Sequence, residues 1–304
     1  VHTLIVIVGP TGVGKTETCI EIARHFNASI INADSRQIYK EIPIGTAAPT
    51  KEQMSTVKHH LVGCKNLYEY YSAAMFESDA IKVISSESKY TNVSILSGGS
   101  MMYIDAVCKG IDDIPTVNDD VRNTMRQRLY DEGLPCLVEE LKKLDPEYWN
   151  IVDRNNPRRV VHALEIIHQT GQSYSSFRNN IHKKRPFDIV KIGLNMYRGT
   201  LYNRINQRVC DMMDNGMLGE AKSVYKYKGV NSLNTVGYKE LFEYIEHKIS
   251  LDEAITKIQS NTREYARKQL TWFKKDISTC WFYPDDKDNI INYINNKRKI
   301  NTTP

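Results

Sequence analysis

At 304 residues, with 41% hydrophobic and 25% charged positions, the chain can bury a sizeable core and has the make-up of a soluble globular enzyme, not of a fibrous or disordered protein. A net charge of +5 is compatible with a polyanionic partner without demanding one. The six scattered cysteines contain no C-x-x-C pair, which excludes the usual zinc and disulfide frameworks and points to a reducing cytoplasm; the opening apolar run is too short for a signal peptide or a membrane span.

In chain order, Leu4 to Val8 reads as a buried strand, and Thr18 to Phe26 has the apolar spacing of a helix. Between them lies Gly9-Pro10-Thr11-Gly12-Val13-Gly14-Lys15-Thr16, a match to G-x-x-x-x-G-K-[ST] in the strand–loop–helix setting that the motif requires. Such a loop turns its backbone N–H groups toward a phosphate. The helix N-terminus and Lys15 add positive charge, and the Thr16 hydroxyl is placed to ligate Mg²⁺.

A second strand, Ser29 to Ala33, ends at Asp34-Ser35, and open α/β sheets bind ligands at such carboxyl ends. Asp34 is compatible with three roles: a metal-holding carboxylate, a general base, or a helix N-cap for Arg36 onward. His59-His60 has no carboxylate at ligand spacing, and structural or local hydrogen-bonding roles suit it better than a metal pair. Ser72 to Ser85 reads as a helix. Val93 to Leu96 is a third strand, running into Ser97-Gly98-Gly99-Ser100 before a helix over Met101 to Cys108. A phosphate-hydrolysing enzyme usually carries a metal-holding aspartate at that strand end, so its absence argues against an ordinary ATPase.

From residue 116 to 185 the texture changes to charged helical stretches: Asp119 to Glu132, Leu134 to Leu144, and Pro157 to Gln169 with Gly171 as a stop. The expected organisation is an α/β core over 1–115 and 186–286, an all-helical insertion domain over 116–185, and a tail, loosely helical or disordered, over 287–304. The insertion is rich in cations, among them Arg122, Arg126, Arg128, Arg154, Arg158, Arg159 and Arg178, and either a solvated face or a nucleic-acid surface is compatible with them. Strand character returns at Ile189 to Met196. Helices follow over Leu201 to Met213, Leu218 to Tyr225, Glu240 to His247 and Leu251 to Lys275, and Cys280 to Tyr283 reads as a closing strand.

With these pieces in order, the chain resembles the tRNA dimethylallyltransferase (tRNA isopentenyltransferase) family over nearly its full length. The marks are the 9–16 loop, Asp34-Ser-Arg-Gln-Ile-Tyr39, Ile44-Gly-Thr-Ala-Ala-Pro49, His59-His-Leu61, Gly98-Gly-Ser-Met-Met-Tyr103, Asn156-Pro-Arg-Arg159, Val236-Gly-Tyr238 and the Thr262–Phe273 run. The resemblance implies a P-loop nucleoside-triphosphate-hydrolase-like fold, its parallel sheet flanked by helices. It also implies transfer of a dimethylallyl group from dimethylallyl diphosphate to N6 of the adenosine 3′ of the anticodon. By matched position Asp34 is then the general base, Ser100 hydrogen-bonds at the reacting centre or to the diphosphate, and Arg263 with Lys15 and Mg²⁺ on Thr16 stabilises the leaving diphosphate. Asp34, Ser35, Arg36, Gln37, Ser100, Arg122, Arg158, Arg159, Val160, Val161, His162, Asn234, Thr235, Val236, Gly237, Tyr238 and Lys239 are the expected tRNA contacts. A cytoplasmic monomer of bacterial type, lacking the zinc-finger extension of some eukaryotic relatives, completes the expectation.

Three departures stand out: Gly12-Val13 where the family shows Ala-Ser, Ser100 for threonine, and Lys239 where arginine is common. The rivals are an isopentenyltransferase acting on free adenine nucleotides, a P-loop kinase, and a non-catalytic RNA-binding switch protein. The long basic insertion argues against the first two, and the intact Lys15, Thr16, Asp34 and Arg263 against the third.

Overall fold

The computed structural model describes residues 2–179 and 182–302. In chain order the first elements are β1 (Thr3–Val8), α1 (Lys15–Phe26), β2 (Ile30–Asn32), α2 (Lys51–Thr56), β3 (His59–His60), α3 (Ala73–Glu87), β4 (Val93–Ser97) and α4 (Met101–Lys109). Then come α5 (Asp119–Leu144), α6 (Pro146–Ile151) and α7 (Pro157–Thr170). After these the chain returns through β5 (Asp188–Leu194), α8 (Arg198–Asp214), α9 (Met217–Val224), α10 (Tyr238–Ile245), α11 (Leu251–Phe273), β6 (Cys280–Phe282) and α12 (Lys287–Thr302). Contacts divide the chain into two compact units, Val1–Lys109 with Lys184–Pro304, and Gly110–Lys183.

In the larger unit the strands form a six-stranded sheet in the order β3-β2-β4-β1-β5-β6, and every pairing is parallel. Parallel strands are covered on both faces, and the sequence of β1 reflects this: Leu4, Val6 and Val8 point into one core while Ile5 and Ile7 point into another. The first core packs α3, α4 and α10 through Phe76, Ala80, Val107 and Leu241; the second packs α1 and α8 through Ile22, Leu201 and Ile205. From β1 the chain crosses over β4 to reach β2, whereas from β4 it crosses over β1 to reach β5. The adjacent ends of β1 and β4 are therefore a topological switch point, the place where an open α/β sheet leaves a crevice for ligand.

The sequence-based reading differs from this structure at several elements: it names neither α2 nor α6, and it misses β3 and the packing of α12. His59-His60 is a short edge strand, its residues opposite Ile30 and Ile31 of β2. The segment after residue 286 is no loose tail: α12 buries Ile290 and Ile294 completely in the second core, and Lys287 pairs with Glu21 of α1. Two isoleucines four residues apart supply that apolar stripe, but the Asn- and Lys-rich remainder masks it in the composition.

The smaller unit has its own core of Met125, Leu137, Leu141, Tyr148, Val160, Leu164 and Ile166. It begins and ends slightly earlier than the expected 116–185. Within α5 the helix breaks at Gly133, with φ 79° and Pro135 just beyond, where the sequence suggests two helices. The Asn156 side chain accepts the Arg159 N–H at 3.3 Å and Pro157 occupies the first helical position, so α7 starts where its sequence says it should.

Candidate active site

The phosphate loop leaves β1 and wraps onto α1. Gly14 sits at φ 104°, a conformation that side chains resist, and α1 begins just after it with no side-chain cap on its first N–H groups. The Lys15 ammonium donates to the carbonyls of Gly9 at 3.0 Å and Pro10 at 2.9 Å, folding back over the loop. Burial, reinforced by the nearby Arg208 charge, pushes its pKa down to about 8.

The turn after β4 approaches the end of β2 so closely that a Cβ on Gly98 would lie 2.0 Å from the Ala33 carbonyl oxygen. This close approach brings Gly98 and Gly99 beside Asp34. One Asp34 oxygen, Oδ1, accepts the N–H groups of Arg36 at 2.9 Å and Gln37 at 3.3 Å. The aspartate thus caps a turn, not a helix, and Oδ2 faces Gly99 across the crevice. Gln269 of α11, almost wholly buried, ties the two sides together. Its Oε1 accepts the Thr11 N–H at 2.8 Å and its Nε2 donates to the Gly99 carbonyl at 2.9 Å.

Two cavities meet here. One, of about 410 Å³, is lined by Thr11, Gly12 and Gly14 to Thr16 of the phosphate loop, together with Asn32, His59, Gly98, Arg204 and Arg208. The other, of about 330 Å³, runs between Ser35, Arg36, Gly45, Met212, Met217, the 234–237 stretch, Lys239 and Ile258. Thr11, Asp34, Thr46, Arg208 and Tyr265 line both, so the cavities are two ends of one channel with Asp34 at the neck. One end is built of N–H donors and cations, as an anionic group requires. The other mixes apolar walls with polar side chains, as a flat heteroaromatic group requires.

Several expected site residues sit elsewhere. Arg263 lines neither cavity; it donates to Asn206 at 2.5 Å and lies over the Tyr202 ring at 5.9 Å, because its position on α11 turns it toward α8. The cations that face the phosphate loop are Arg204 and Arg208, one turn apart on α8, with an Arg208 nitrogen 3.5 Å from the Thr11 hydroxyl. Their i, i+4 spacing was visible in the sequence, but nothing there said that α8 lies across the loop. Ser100 starts α4 one residue past the lining glycines, its N–H held by the Ala33 carbonyl at 3.0 Å. His59 lines the anionic end with Nδ1 on the Val57 carbonyl at 2.8 Å, and burial lowers its pKa.

The Val160 and Tyr238 side chains are fully buried, which removes them as direct RNA contacts. In the smaller unit Arg158 and Arg159 are exposed, whereas Arg128 is held by Glu132 and Glu140, and Arg154 and Arg178 lie over the rings of Trp149 and Tyr148.

Phosphate loop, switch-point crevice and the Asp34 carboxylate between the two cavities are the features of a P-loop enzyme that handles a phosphorylated ligand. A family model described as IPP transferase matches residues 37–276. The chain is 55% identical to tRNA dimethylallyltransferase 1 of Phocaeicola vulgatus over 96% of its own length and 97% of that protein's, and 54% identical to the enzyme of the same name from Bacteroides fragilis over 96% and 97%. It also superposes on the full-length tRNA isopentenylpyrophosphate transferase of Bacillus halodurans with TM-score 0.71 and 36% identity, covering 98% of this chain and 97% of that one. A eukaryotic dimethylallyltransferase acting on tRNA gives TM-score 0.76 at 26% identity, over 92% of this chain and 74% of that one. The chain belongs to the tRNA dimethylallyltransferase family. No helix among the described residues is long and apolar enough to cross a membrane.

Proposed function

We propose that this protein transfers a dimethylallyl group from dimethylallyl diphosphate to N6 of the adenosine 3′ of the anticodon in tRNA, releasing diphosphate. The observation that carries the mechanism is the neck. A diphosphate held at the anionic end and an adenine entering from the other meet beside Asp34 and Arg208. Substrates held at the two ends are brought into line for displacement, which supplies much of the barrier reduction for a bimolecular transfer.

The N6 lone pair forms a bond to C1 of the prenyl group as the C1–O bond to diphosphate breaks, and the electron pair of that bond leaves with the diphosphate. Nitrogen gains positive charge as it attacks, so its N–H becomes acidic and a carboxylate is a sufficient base. Asp34 accepts that proton through Oδ2, while Oδ1 remains fixed by the Arg36 and Gln37 N–H groups. Lys15, Arg208 and the loop N–H groups meet the negative charge that grows on the departing diphosphate. Arg208 takes the part the sequence assigns to Arg263. The Ser100 hydroxyl, at the start of α4, is assigned to the reacting centre.

Among the described residues no cluster of acids, histidines or cysteines forms a metal cage. Thr16 lines the cavity, and one hydroxyl plus diphosphate oxygens and water is the coordination Mg²⁺ favours. When bound, Mg²⁺ would neutralise diphosphate charge. Burying an anticodon-loop base requires unstacking it, at a cost offset by backbone contacts. Those contacts are assigned to Arg122, Arg158, Arg159, Val161 and His162 of the smaller unit and to Ser35, Arg36, Gln37, Asn234, Thr235, Val236 and Lys239 of the larger.

The test offers labelled dimethylallyl diphosphate with Mg²⁺ to an unmodified anticodon stem–loop and to AMP side by side. Label is expected in the stem–loop alone, and Asp34→Asn should lower kcat by roughly 10²- to 10⁴-fold with diphosphate binding retained. Label in AMP instead would move the enzyme to free nucleotides.

A further inference from the structure

The end of the channel away from the phosphate loop is walled by two stretches far apart in sequence, Gly45-Thr46 and 234–239, and neither has regular structure up to the start of α10. One side chain joins them. Glu220, on α9, accepts the Ile44 N–H through Oε2 at 2.8 Å and the Gly45 N–H through Oε1 at 2.8 Å. The same Oε1 accepts the Tyr238 hydroxyl at 2.5 Å. Tyr238 is completely buried, and burial together with the carboxylate pushes its pKa upward, so the phenol stays protonated as a donor. Close fit reinforces the join: a Cβ on Gly45 would lie 2.4 Å from the Tyr238 oxygen.

Each wall has a second tie besides Glu220. Gln37 Nε2 donates to the carbonyls of Thr46 and Ala47, both at 3.0 Å, and the Gln37 N–H itself rests on Asp34. Beyond the other wall, Glu240 accepts the Gly237 N–H at 2.7 Å and the Asn261 amide at 2.7 Å. A run of hydrogen bonds therefore leads from the neck carboxylate around the channel to α10, with Glu220 as the link that spans the two walls. Glu220 lines neither cavity. Only a carboxylate satisfies all three donors at once. A glutamine would turn an NH₂ toward a backbone N–H and leave that N–H without a partner.

We propose that Glu220 is a positioning residue: through Gly45 and Tyr238 it fixes the spacing of the two walls that receive the target base. It thereby sets affinity for the RNA substrate and not for the prenyl diphosphate. The inference rests on the transfer reading above, and its test separates the two.

Steady-state prenyl transfer is measured for wild type, Glu220→Gln and Tyr238→Phe, varying the anticodon stem–loop and dimethylallyl diphosphate separately, with thermal melting alongside. Loss of a buried charge-assisted bond predicts a rise of about tenfold in KM for the stem–loop in Glu220→Gln, with KM for dimethylallyl diphosphate changed by less than about twofold. Tyr238→Phe keeps both backbone N–H groups paired and should raise the same parameter by a smaller factor. Parallel movement of the two KM values, or a lower melting temperature with both unchanged, would overturn the positioning role while leaving the transfer reading intact. A wild-type protein that labels no stem–loop would overturn both.

Discussion

Lys15 gives the most quantitative prediction. Its pKa of about 8 in the free enzyme lies well below the ordinary lysine value of 10.5, chiefly because of burial and secondarily because of Arg208. A bound diphosphate supplies opposite charge at hydrogen-bond range and restores the ammonium. Binding therefore favours the protonated lysine: affinity is full below pH 8 and falls as pH rises through that value. At pH 9 only about one free enzyme in eleven carries the charge, so affinity should drop roughly tenfold from pH 7, or ~1.4 kcal/mol.

Other lining groups leave this window clear. Burial pushes Cys19 and Tyr265 up to about 12 and keeps them protonated, and it pushes His59 below the window. The terminal phosphate titrates with a pKa of about 6, so its charge is nearly constant across the step from pH 7 to 9. The assay is calorimetric titration of a non-transferring prenyl diphosphate analogue from pH 6.5 to 9.5 in buffers of different ionisation enthalpy. Uptake of close to one proton is expected at pH 9. Lys15→Arg, which stays charged throughout, should bind without this pH dependence. An affinity that is level to pH 9.5, or a slope that survives Lys15→Arg, would refute the assignment.

Other perturbations have equally definite outcomes. Arg208→Ala should cut kcat by about 10²-fold, the scale for losing one charge-stabilising donor, whereas Arg263→Ala, outside the cavity lining and engaged with Asn206, should cost far less in a single-turnover assay. Gly98→Ala forces a Cβ onto the Ala33 carbonyl, and because the obstacle is backbone, ~3 kcal/mol of destabilisation is expected in urea unfolding. Ile294→Ala should remove ~2–5 kcal/mol, and an unchanged urea midpoint would return α12 to the status of a loose tail.

Much of this protein was legible before any coordinates. The phosphate loop is local in sequence, its chemistry is carried by backbone N–H groups and one lysine, and the flanking strand and helix follow from apolar spacing alone. The insertion's longer helices were equally plain, down to the break at Gly133 and the start at Pro157, because caps and breakers act within a few residues, whereas the six-residue α6 went unread. Asp34 was marked by its place at a strand end, yet the sequence left metal ligand, cap and base as alternatives. The structure shows that its two oxygens divide the work, one holding the turn and the other facing the channel.

What the sequence could not convey was which distant faces meet. Arg263 carries the family motif, but the rotation of α11 sends it to Asn206, and the crossing of α8 brings Arg204 and Arg208 over the loop instead. Glu220 was an unremarked acid on a short helix until packing set it against Gly45 and Tyr238. Local sequence determines what a segment forms and which groups it offers; the pairing of those groups across the channel is decided by how helices pack on the two faces of the sheet, and that depends on the whole core at once.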